Sequence, residues 1–523
     1  MATGTVINLG KHQLATFSLQ RMTNSEGQGR VAIPRHMGVI DASVIIIGQV
    51  IGTGIFLTPK GVTEAVRSPG VTLITWLLCG VENILAALMY AELGAMIPKA
   101  GGEYAFVYQT FGPVAAFTTL WCTAFLFVPC SFGIMGRTAS SYILGAFVTE
   151  RTLPDIAVTL VGLWIIVTIV ALNCLNVRVA AWIQKIFSAA KLLALGLISV
   201  TGIVIMARDG AGYLSPSEAF RNPRLDPASI ATAIMVGNFA YGGWDNLNRV
   251  QEEVKDPGKN LPRAVWLGML VVTSIYLLTN IAYFTVLSPE EIVASSAVAL
   301  TFAQHTLPSV SWLIPLSVGV SAAGSLNGAT MATSRIVFGA ARDGKLPAVL
   351  SMISIRRLTP IPAIIALTVL GVVYMVFPDI YVLVTYMAVV SRLQIVLALA
   401  SFFYLRWSKP HWPRPVRVHI ALAVITVIIF IVQVLLFAIR DPITTLVAFV
   451  MYLSAVPVYY LGNYLAVRSD MLRVISVKVT EKVQKILLVV QEEQDQALVA
   501  SRPTQIIQPA GNDVITCANV RQN

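Results

Sequence analysis

The chain contains repeated apolar runs that are long enough to cross a lipid bilayer. Of its 523 residues, 56% are hydrophobic and only 12% are charged, too few charges to cover a water-soluble protein of this size. A membrane-spanning helix needs roughly 20 apolar residues. Such runs recur at about 37–65, 70–97, 108–146, 154–173, 181–207, 228–250, 262–287, 310–337, 361–377, 379–405, 415–438 and 442–467. The sequence therefore predicts an all-α polytopic membrane protein with twelve transmembrane helices.

The net charge of +11 is concentrated on one side of the predicted bundle. Alternate loops and both tails carry most of the basic residues, among them Lys11, Arg35, Lys255, Lys259, Arg342, Lys345, Arg406, Arg414, Arg473 and Lys482. The opposite side is sparser, since 288–309 has no Lys or Arg, although Arg208, Arg221 and Arg224 are exceptions. The positive-inside rule therefore places both termini in the cytoplasm, and the pattern argues against nucleic-acid binding.

Polar tails flank the predicted transporter domain of residues 37–467. The N-terminal tail, 1–36, has no apolar segment typical of a cleavable signal. In the C-terminal tail, 468–523, apolar residues recur every three or four positions over 471–492. This pattern predicts an amphipathic helix, either along the inner leaflet or packed on cytosolic loops. From Glu493 onwards we expect disorder.

Two predicted spans contain glycine clusters near mid-membrane. The first has Gly48, Gly52 and Gly54, and the sixth has Gly242 and Gly243. Unwound backbone at this depth survives only where it lines a cavity or is buried in protein. Interrupted spans at matching positions predict a five-plus-five inverted repeat, about 37–207 and 228–405, with extra spans in 415–467. Half-helix ends would provide N–H groups for an anion and carbonyls for a cation, which suits a zwitterion.

The same segments carry a family resemblance. The chain resembles the L-type amino acid transporters, light chains of heteromeric amino acid transporters in the amino acid–polyamine–organocation superfamily. The matching stretches lie at 50–59, 90–94, 99–104, 186–193, 239–244, 260–262, 324–328, 358–362 and 414–416. The resemblance implies transport of neutral, large or aromatic, L-amino acids across the plasma membrane, by exchange or facilitated diffusion. The sequence contains no P-loop, no H-E-x-x-H and no His/Cys cluster, so we expect neither an enzyme nor a cofactor or metal site.

The resemblance also implies roles for residues at the two breaks. Gly52, Thr53 and Gly54 would hold the substrate carboxylate, while Val50, Phe239 and Gly242 would surround its ammonium group. Phe239 would act as a gate, with Trp244 beside it. Aromatic core packing remains an alternative for Phe239 and Trp244, and a helix-capping hydroxyl for Thr53.

Lys191 lies inside the fifth predicted span, where a charged side chain is costly. It follows Trp182 by about nine residues, hence roughly 13 Å along a helix, which is far for its ammonium to reach the membrane surface. The resemblance implies that this ammonium replaces the sodium ion of sodium-coupled relatives. We therefore expect sodium-independent transport, with snorkelling to the surface as the alternative.

The chain departs from the family pattern in the loop between the third and fourth spans. Family members that join a single-span glycoprotein have a cysteine there, and Phe147–Pro154 has none. We therefore expect no disulfide-linked heavy chain, although a noncovalent partner is compatible with the sequence.

The other departures are charged residues inside spans. Asp245 and Arg392 stand where relatives commonly have Asn and a large aromatic residue, and we hypothesise that they form an ion pair beside the substrate. A free Arg392 would instead favour acidic amino acids or cystine. Glu82 is a candidate proton site, a partner of Lys191 or of a helix dipole, or a vestibule residue, whereas Glu92 and Glu103 are interpreted as loop anchors. A non-transporting amino acid sensor is the competing functional class.

Overall fold

The described part of the chain is almost entirely helical. The computed structural model describes residues 37–491 apart from 98–101, 148–153, 250–253, 296, 355–356, 358, 377–379 and 469, so the predicted N-terminal tail and the chain after Gln491 lie outside it. Its α-helices are α1 Val39–Val50, α2 Gly54–Val66, α3 Pro69–Met96, α4 Glu103–Phe111, α5 Pro113–Trp121, α6 Val128–Phe147, α7 Asp155–Leu175, α8 Val177–Asp209, α9 Pro227–Ala240, α10 Pro257–Val286, α11 Pro289–Ala294, α12 Val298–Thr306, α13 Leu313–Arg342, α14 Ile361–Met375, α15 Ile380–Ser408, α16 Ile420–Arg440, α17 Pro442–Leu453, α18 Ala455–Arg468 and α19 Asp470–Leu487. Two short strands, β1 Met352–Ser354 and β2 Val489–Gln491, complete the structure together with short 3-10 turns and one π-helix.

Many of these helices suit a bilayer. Within the described residues, eight helices are long and apolar enough to cross a membrane, and the bent pair of α1 and α2 counts as a ninth. Three further predicted runs are also helical: α9 and α14 are apolar but short, and α13 is long but rich in Gly, Ser and Thr. The all-α membrane architecture is confirmed. One predicted boundary is wrong, because the run from 108 includes the end of α4, and the third span begins at Pro113 after Gly112, whose φ is +82°.

The first span is interrupted where the sequence predicts it. Helix α1 ends at Val50, α2 begins at Gly54, and the two helices are bent by 57°. Gly54 packs directly on the sixth span, since a Cβ built there would lie 2.4 Å from the Cα of Ala240. Any side chain would push the two backbones apart, so glycine is what allows α2 and α9 to touch.

The sixth span is interrupted beside the first. Helix α9 ends at Ala240, residues 241–243 form a turn, and Trp244–Arg249 continue as a 3-10 helix rather than an α-helix. Gly243 has a φ of +108°, a conformation that favours glycine, and its Cβ would lie 3.0 Å from the carbonyl oxygen of Gln49. The two breaks therefore lie against each other, as expected for matched interrupted spans of an inverted repeat.

The third span contains a feature that the sequence did not predict. Between α5 and α6, residues Cys122–Phe127 form a π-helix. In a π-helix each N–H bonds to the carbonyl five residues earlier, and such turns often occur at functional sites. Cys122 and Ala124 are buried in this turn, while Thr123 and Phe127 line the cavity described below.

The C-terminal segment packs on a loop of the bundle. Helix α19 agrees with the predicted amphipathic helix but ends at Leu487 rather than near 492, and Leu488 then has a φ of +51°. The following strand β2 pairs antiparallel with β1, with Val490 opposite Ile353, in the connection between α13 and α14. The end of this segment is thus paired with the connection between α13 and α14, while the position of α19 relative to the inner leaflet stays a prediction.

A buried carboxylate ties α3 to α15 and to the connection before α16 at one end of the bundle. Glu92, near the end of α3, is fully buried and accepts hydrogen bonds from Arg406 Nε at 2.9 Å and Arg406 Nη2 at 2.6 Å. Its second oxygen also accepts from the backbone N–H of Val418 at 2.7 Å. The contacts agree with the anchoring role that the sequence suggests for Glu92.

Candidate functional site

A cavity of about 230 Å³ lies where the two broken helices meet. Every predicted site residue lines it, namely Val50, Gly52, Thr53, Gly54, Lys191, Phe239, Gly242, Trp244, Asp245 and Arg392. Side chains of other spans complete the wall, among them Thr123, Phe127, Ser131, Ser325, Thr333, Met387 and Ser391. The volume suits a small solute, and the mixed polar and apolar wall suits a solute that has both characters.

The cavity extends towards one end of the bundle. At that end it is lined by Glu103, Gln184 and Thr333, which belong to the first turn of α4, the first half of α8 and the second half of α13. The order of the spans places these segments on the side of the basic loops. In the opposite direction Phe239 packs on an apolar cluster that comprises Leu57, Cys130, Ile134, Leu383, Val384 and Met387. Phe239 thus lies between the cavity and this apolar cluster, a location compatible with a gate.

The start of α2 faces the cavity through Gly52, Thr53 and Gly54. The first N–H groups of an α-helix have no intrahelical partner and carry a partial positive charge. Thr53 occupies the N-cap position, but its side chain makes no capping hydrogen bond, so the interpretation of its hydroxyl as a helix cap is wrong. A helix start of this kind can bind an anionic group such as a carboxylate.

Lys191 binds the end of α1. Its side chain is 5% exposed, and its ammonium donates to the carbonyl oxygen of Gly48 at 2.7 Å and to that of Ile51. These carbonyls have no helical partner because the helix stops here. Snorkelling of Lys191 to the membrane surface is therefore wrong, and a fixed positive charge occupies carbonyls that would otherwise suit a metal cation.

Tyr276 connects the two breaks, a role that was not predicted from the sequence. The side chain is fully buried in α10, and its hydroxyl lies 3.0 Å from the carbonyl oxygen of Val50 and 2.8 Å from that of Ala240. Its one proton is shared between two carbonyls at the ends of α1 and α9. The available signal was a phenol in the middle of an apolar span, where a buried hydroxyl needs a partner.

Arg392 pairs with Glu82 and not with Asp245. The Arg392 Nη2 atom lies 2.9 Å from Glu82 Oε1, and the two side chains are 3% and 8% exposed. Since the contacts of Arg392 among the described residues include none to Asp245, the hypothesis of an Asp245–Arg392 pair is wrong. A pair between Glu82 and Lys191 is wrong as well, because Lys191 binds the carbonyls of Gly48 and Ile51. The distance of the Arg392 guanidinium to the ring of Phe430 is 4.2 Å, which adds a cation–π contact.

The Glu82 carboxylate belongs to a hydrogen-bonded network across four spans. It accepts from the amide of Asn238 through Oε1 and from that of Gln433 through Oε2, the latter at 2.8 Å. Asn83 donates to Asn238, and its own oxygen accepts from the Trp244 indole at 2.9 Å. The network thus connects the broken part of the sixth span to α3, α15 and α16. Its sequence signal was the adjacent polar pair Glu82 and Asn83 in an apolar span.

Trp244, Asp245 and Glu103 complete the polar end of the cavity. Trp244 is 3% exposed and packs edge-on to Tyr90, with ring centroids 4.8 Å apart, so the packing interpretation describes part of its role. Asp245 is half-buried and lines the cavity. Glu103, interpreted from the sequence as a loop anchor, accepts a hydrogen bond from Tyr90 at 2.7 Å and also lines the cavity.

The cysteines within the described residues are free thiols. Cys79, Cys122 and Cys130 are buried and Cys174 is partly buried. Most of the loop between the third and fourth spans, 148–153, lies outside the described residues, as does Cys517.

Comparison with known proteins identifies the family. The family model "Amino acid permease" matches residues 37–462. The chain is 38% identical to Large neutral amino acids transporter small subunit 2 of Mus musculus, over 87% of this chain and 86% of that one. It is 38% identical to Asc-type amino acid transporter 1 of Mus musculus (83% and 82% covered) and 36% identical to the Cystine/glutamate transporter of Homo sapiens (89% and 93% covered). With its broken helices, its central cavity and these matches, the chain belongs to the amino acid permease family and is an L-type member of it.

Proposed function

We propose that this protein carries neutral L-amino acids across the plasma membrane without sodium, by alternating access. The observation that supports the proposal most directly is the position of Lys191. Its ammonium lies on the carbonyls of Gly48 and Ile51, next to the helix start at Gly54 that suits a carboxylate. A site in which a lysine ammonium occupies these carbonyls has no need of a bound sodium ion.

The substrate backbone would lie between the two breaks. Its carboxylate would accept hydrogen bonds from N–H groups and the hydroxyl at Thr53 and Gly54, which line the cavity. Its ammonium group would be surrounded by Val50, Phe239 and Gly242, in which carbonyls at helix ends favour a positive charge. The two ends of a zwitterion would thus be neutralised by backbone groups, with the Thr53 hydroxyl as an additional donor to the carboxylate.

The side chain of the substrate would extend towards the third and tenth spans. Phe127 and Met387 line the cavity there. The same two residues also line a second, apolar cavity of about 170 Å³, between them and Leu126, Cys130, Tyr374, Leu383, Tyr386 and Val390. This apolar space supports large or aromatic substrates, in line with the name of the relative described as a large neutral amino acids transporter.

The relative called a small subunit is named for an assembly, and we propose a simpler arrangement for this chain. Since Phe147–Pro154 contains no cysteine, no disulfide can join a partner through that loop. The protein would reach the plasma membrane with both termini in the cytoplasm and without a covalently attached glycoprotein. A noncovalent partner is compatible with this proposal.

Transport of acidic amino acids or cystine is the alternative suggested by Arg392 and by the cystine/glutamate relative. It requires a positive charge that is free to bind a second carboxylate. In this structure Glu82 already neutralises that charge at 2.9 Å, which favours neutral substrates. A sensor that binds amino acids without moving them is the other alternative.

Uptake by the purified full-length protein in liposomes tests the proposal. Labelled leucine, phenylalanine, glutamine, glutamate and cystine would be compared in sodium and in choline buffer. We expect uptake of the neutral amino acids that is equal in both buffers. Abolition of uptake in choline would contradict the role of Lys191, and a preference for glutamate or cystine would contradict the neutral class.

Counterflow separates a carrier from a sensor. Unlabelled leucine inside the liposomes should accelerate entry of labelled leucine if the protein exchanges its substrates. Binding of leucine without any entry would establish the sensor instead. In cells, surface labelling with and without a co-expressed single-span glycoprotein tests the partner proposal, and we expect surface delivery in both cases.

A further inference from the structure

We propose that Glu82 is a specificity-determining residue, because it neutralises an arginine that would otherwise select acidic substrates. The inference rests on the proposed function, which places an amino acid in the central cavity. It adds that the preference for neutral side chains depends on one carboxylate that does not itself line that cavity.

The two residues of the ion pair differ in whether they reach the wall of the cavity. Arg392 lines it, together with Ser391 and Met387 of the same helix, whereas Glu82 is not among the lining residues. The arginine is thus nearer to a bound substrate than its counter-charge. Loss of the negative charge would leave the cavity wall with an uncompensated guanidinium at the end where the substrate side chain would lie.

Both oxygens of Glu82 have partners. One oxygen accepts from Arg392 and Asn238, and the other accepts from Gln433 at 2.8 Å. Three side chains from three other spans thus hold the carboxylate against the guanidinium. Glu82 is therefore positioned as the counter-charge of Arg392.

The arginine is also held in place by apolar contact. Its guanidinium carbon lies 4.2 Å from the centroid of the Phe430 ring, and its side chain is 3% exposed. Replacement of Glu82 by glutamine keeps the size of the side chain and removes its charge. The amide oxygen can still accept from Arg392 and Asn238. The new NH2 group faces Gln433, whose amide must turn so that its Oε1, which has no partner among the described residues, accepts instead. Arg392 would then remain where it is, with hydrogen bonds available for an incoming carboxylate.

The test compares glutamate with glutamine, which have the same length and differ in charge. Labelled glutamine is bound at equilibrium to the purified full-length protein and is displaced by glutamate or by unlabelled glutamine. For the Glu82→Gln variant we expect the affinity for glutamate relative to glutamine to rise on the order of tenfold, as for one new charge-assisted hydrogen bond. The double variant Glu82→Gln/Arg392→Gln should return to the wild-type ratio.

Glu103 and Asp245 line the same cavity and keep their charges in every variant, so the ratio isolates the effect of Glu82. Gln433→Leu is the structural control. It removes a hydrogen bond to Glu82 without a change of charge and should leave the ratio unaltered. If Glu82→Gln does not fold, Glu82→Asp serves instead, because its shorter side chain weakens the contact and should raise the ratio in the same direction.

An unchanged ratio in folded Glu82→Gln, or an equal rise in the double variant, would overturn the proposal. Failure of the proposed function would give a different result. Wild-type protein would then show no uptake of neutral amino acids in liposomes, while its binding ratios for glutamate and glutamine could still be measured.

Discussion

The hydroxyl of Tyr276 lies 2.8 Å from the carbonyl oxygen of Ala240, at the end of α9, and it reaches Val50 at the end of α1 as well. One side chain of the seventh span, α10, is thereby hydrogen-bonded to the ends of both interrupted helices. These hydrogen bonds satisfy two backbone carbonyls at helix ends in the middle of a membrane protein, where an unsatisfied carbonyl would be costly.

Tyr276→Phe should destabilise the protein and slow transport. The ring would still pack on Trp76 and Tyr241, at centroid distances of 5.5 Å and 5.0 Å. The two carbonyls would lose their donor, at a cost of about 1–3 kcal/mol. Thermal unfolding in detergent and initial uptake rates measure the two effects.

Tyr283→Phe is the matched control for that change. Tyr283 lies on the same helix, and its buried hydroxyl has no hydrogen-bond partner among the described residues. Its removal should leave stability unchanged or slightly higher. Equal melting temperatures and equal uptake rates of the two variants would show that the Tyr276 hydrogen bonds contribute nothing to stability or transport.

Lys191→Met should lower leucine uptake in sodium-free buffer by at least about tenfold, because it removes charge-assisted hydrogen bonds to two carbonyls. Sodium should raise the uptake that remains, since the carbonyls of Gly48 and Ile51 would be free to bind an ion. Lys185→Met, on the exposed face of the same helix, is the control and should be neutral. Wild-type uptake by Lys191→Met without sodium would disprove this role.

Gly54→Ala should be destabilising. Its new methyl group would stand 2.4 Å from the Cα of Ala240, and overpacking of this kind costs about 1–3 kcal/mol or more. Gly48→Ala, in the other half of the same span, has no atom within 4 Å of its Cβ and should keep its thermal stability. If melting temperatures of the two variants were the same, close contact of α2 with α9 would be unimportant for stability.

Arg406→Gln should be among the most damaging changes outside the cavity. The fully buried Glu92 would keep the N–H of Val418 and the Arg414 guanidinium, whose Nε lies 3.9 Å from Glu92 Oε1, but would lose the closer guanidinium at 2.6 Å. Loss of a buried ion-pair partner costs about 3–5 kcal/mol, and the remaining Arg414 reduces that cost. Arg417→Gln, an exposed position in the connection between α15 and α16, serves as the control. The yield of folded protein by size-exclusion chromatography and its melting temperature report the difference.

Local features of the chain could be predicted well, and contacts between distant spans could not. The breaks follow from glycines that are close in sequence, and the depth of Lys191 follows from its position along one helix. The partner of Arg392 depends instead on how the second and tenth spans pack, and Glu82 is 310 residues away in the chain. Several intramembrane acids were available, and the sequence favoured Asp245 because it, like Arg392, departs from the family pattern.

Tyr276 and strand β2 were hard to predict from the sequence for a different reason. A phenol in an apolar span, such as Tyr276, looks like ordinary core until its neighbours are known. Strand β2 follows an amphipathic helix whose periodic pattern continues through it, and only its pairing with β1 reveals the change of conformation.

The π-helix at Cys122–Phe127 has a consequence for experiments that probe the third span. A turn with one additional residue shifts the angular position of everything that follows, so residues before and after it do not share one regular stripe. Labelling of single cysteines placed along this span should therefore show a periodic reactivity whose phase jumps at this turn. A helical wheel drawn through the whole span would rotate the residues after the turn by about 100° from their true direction.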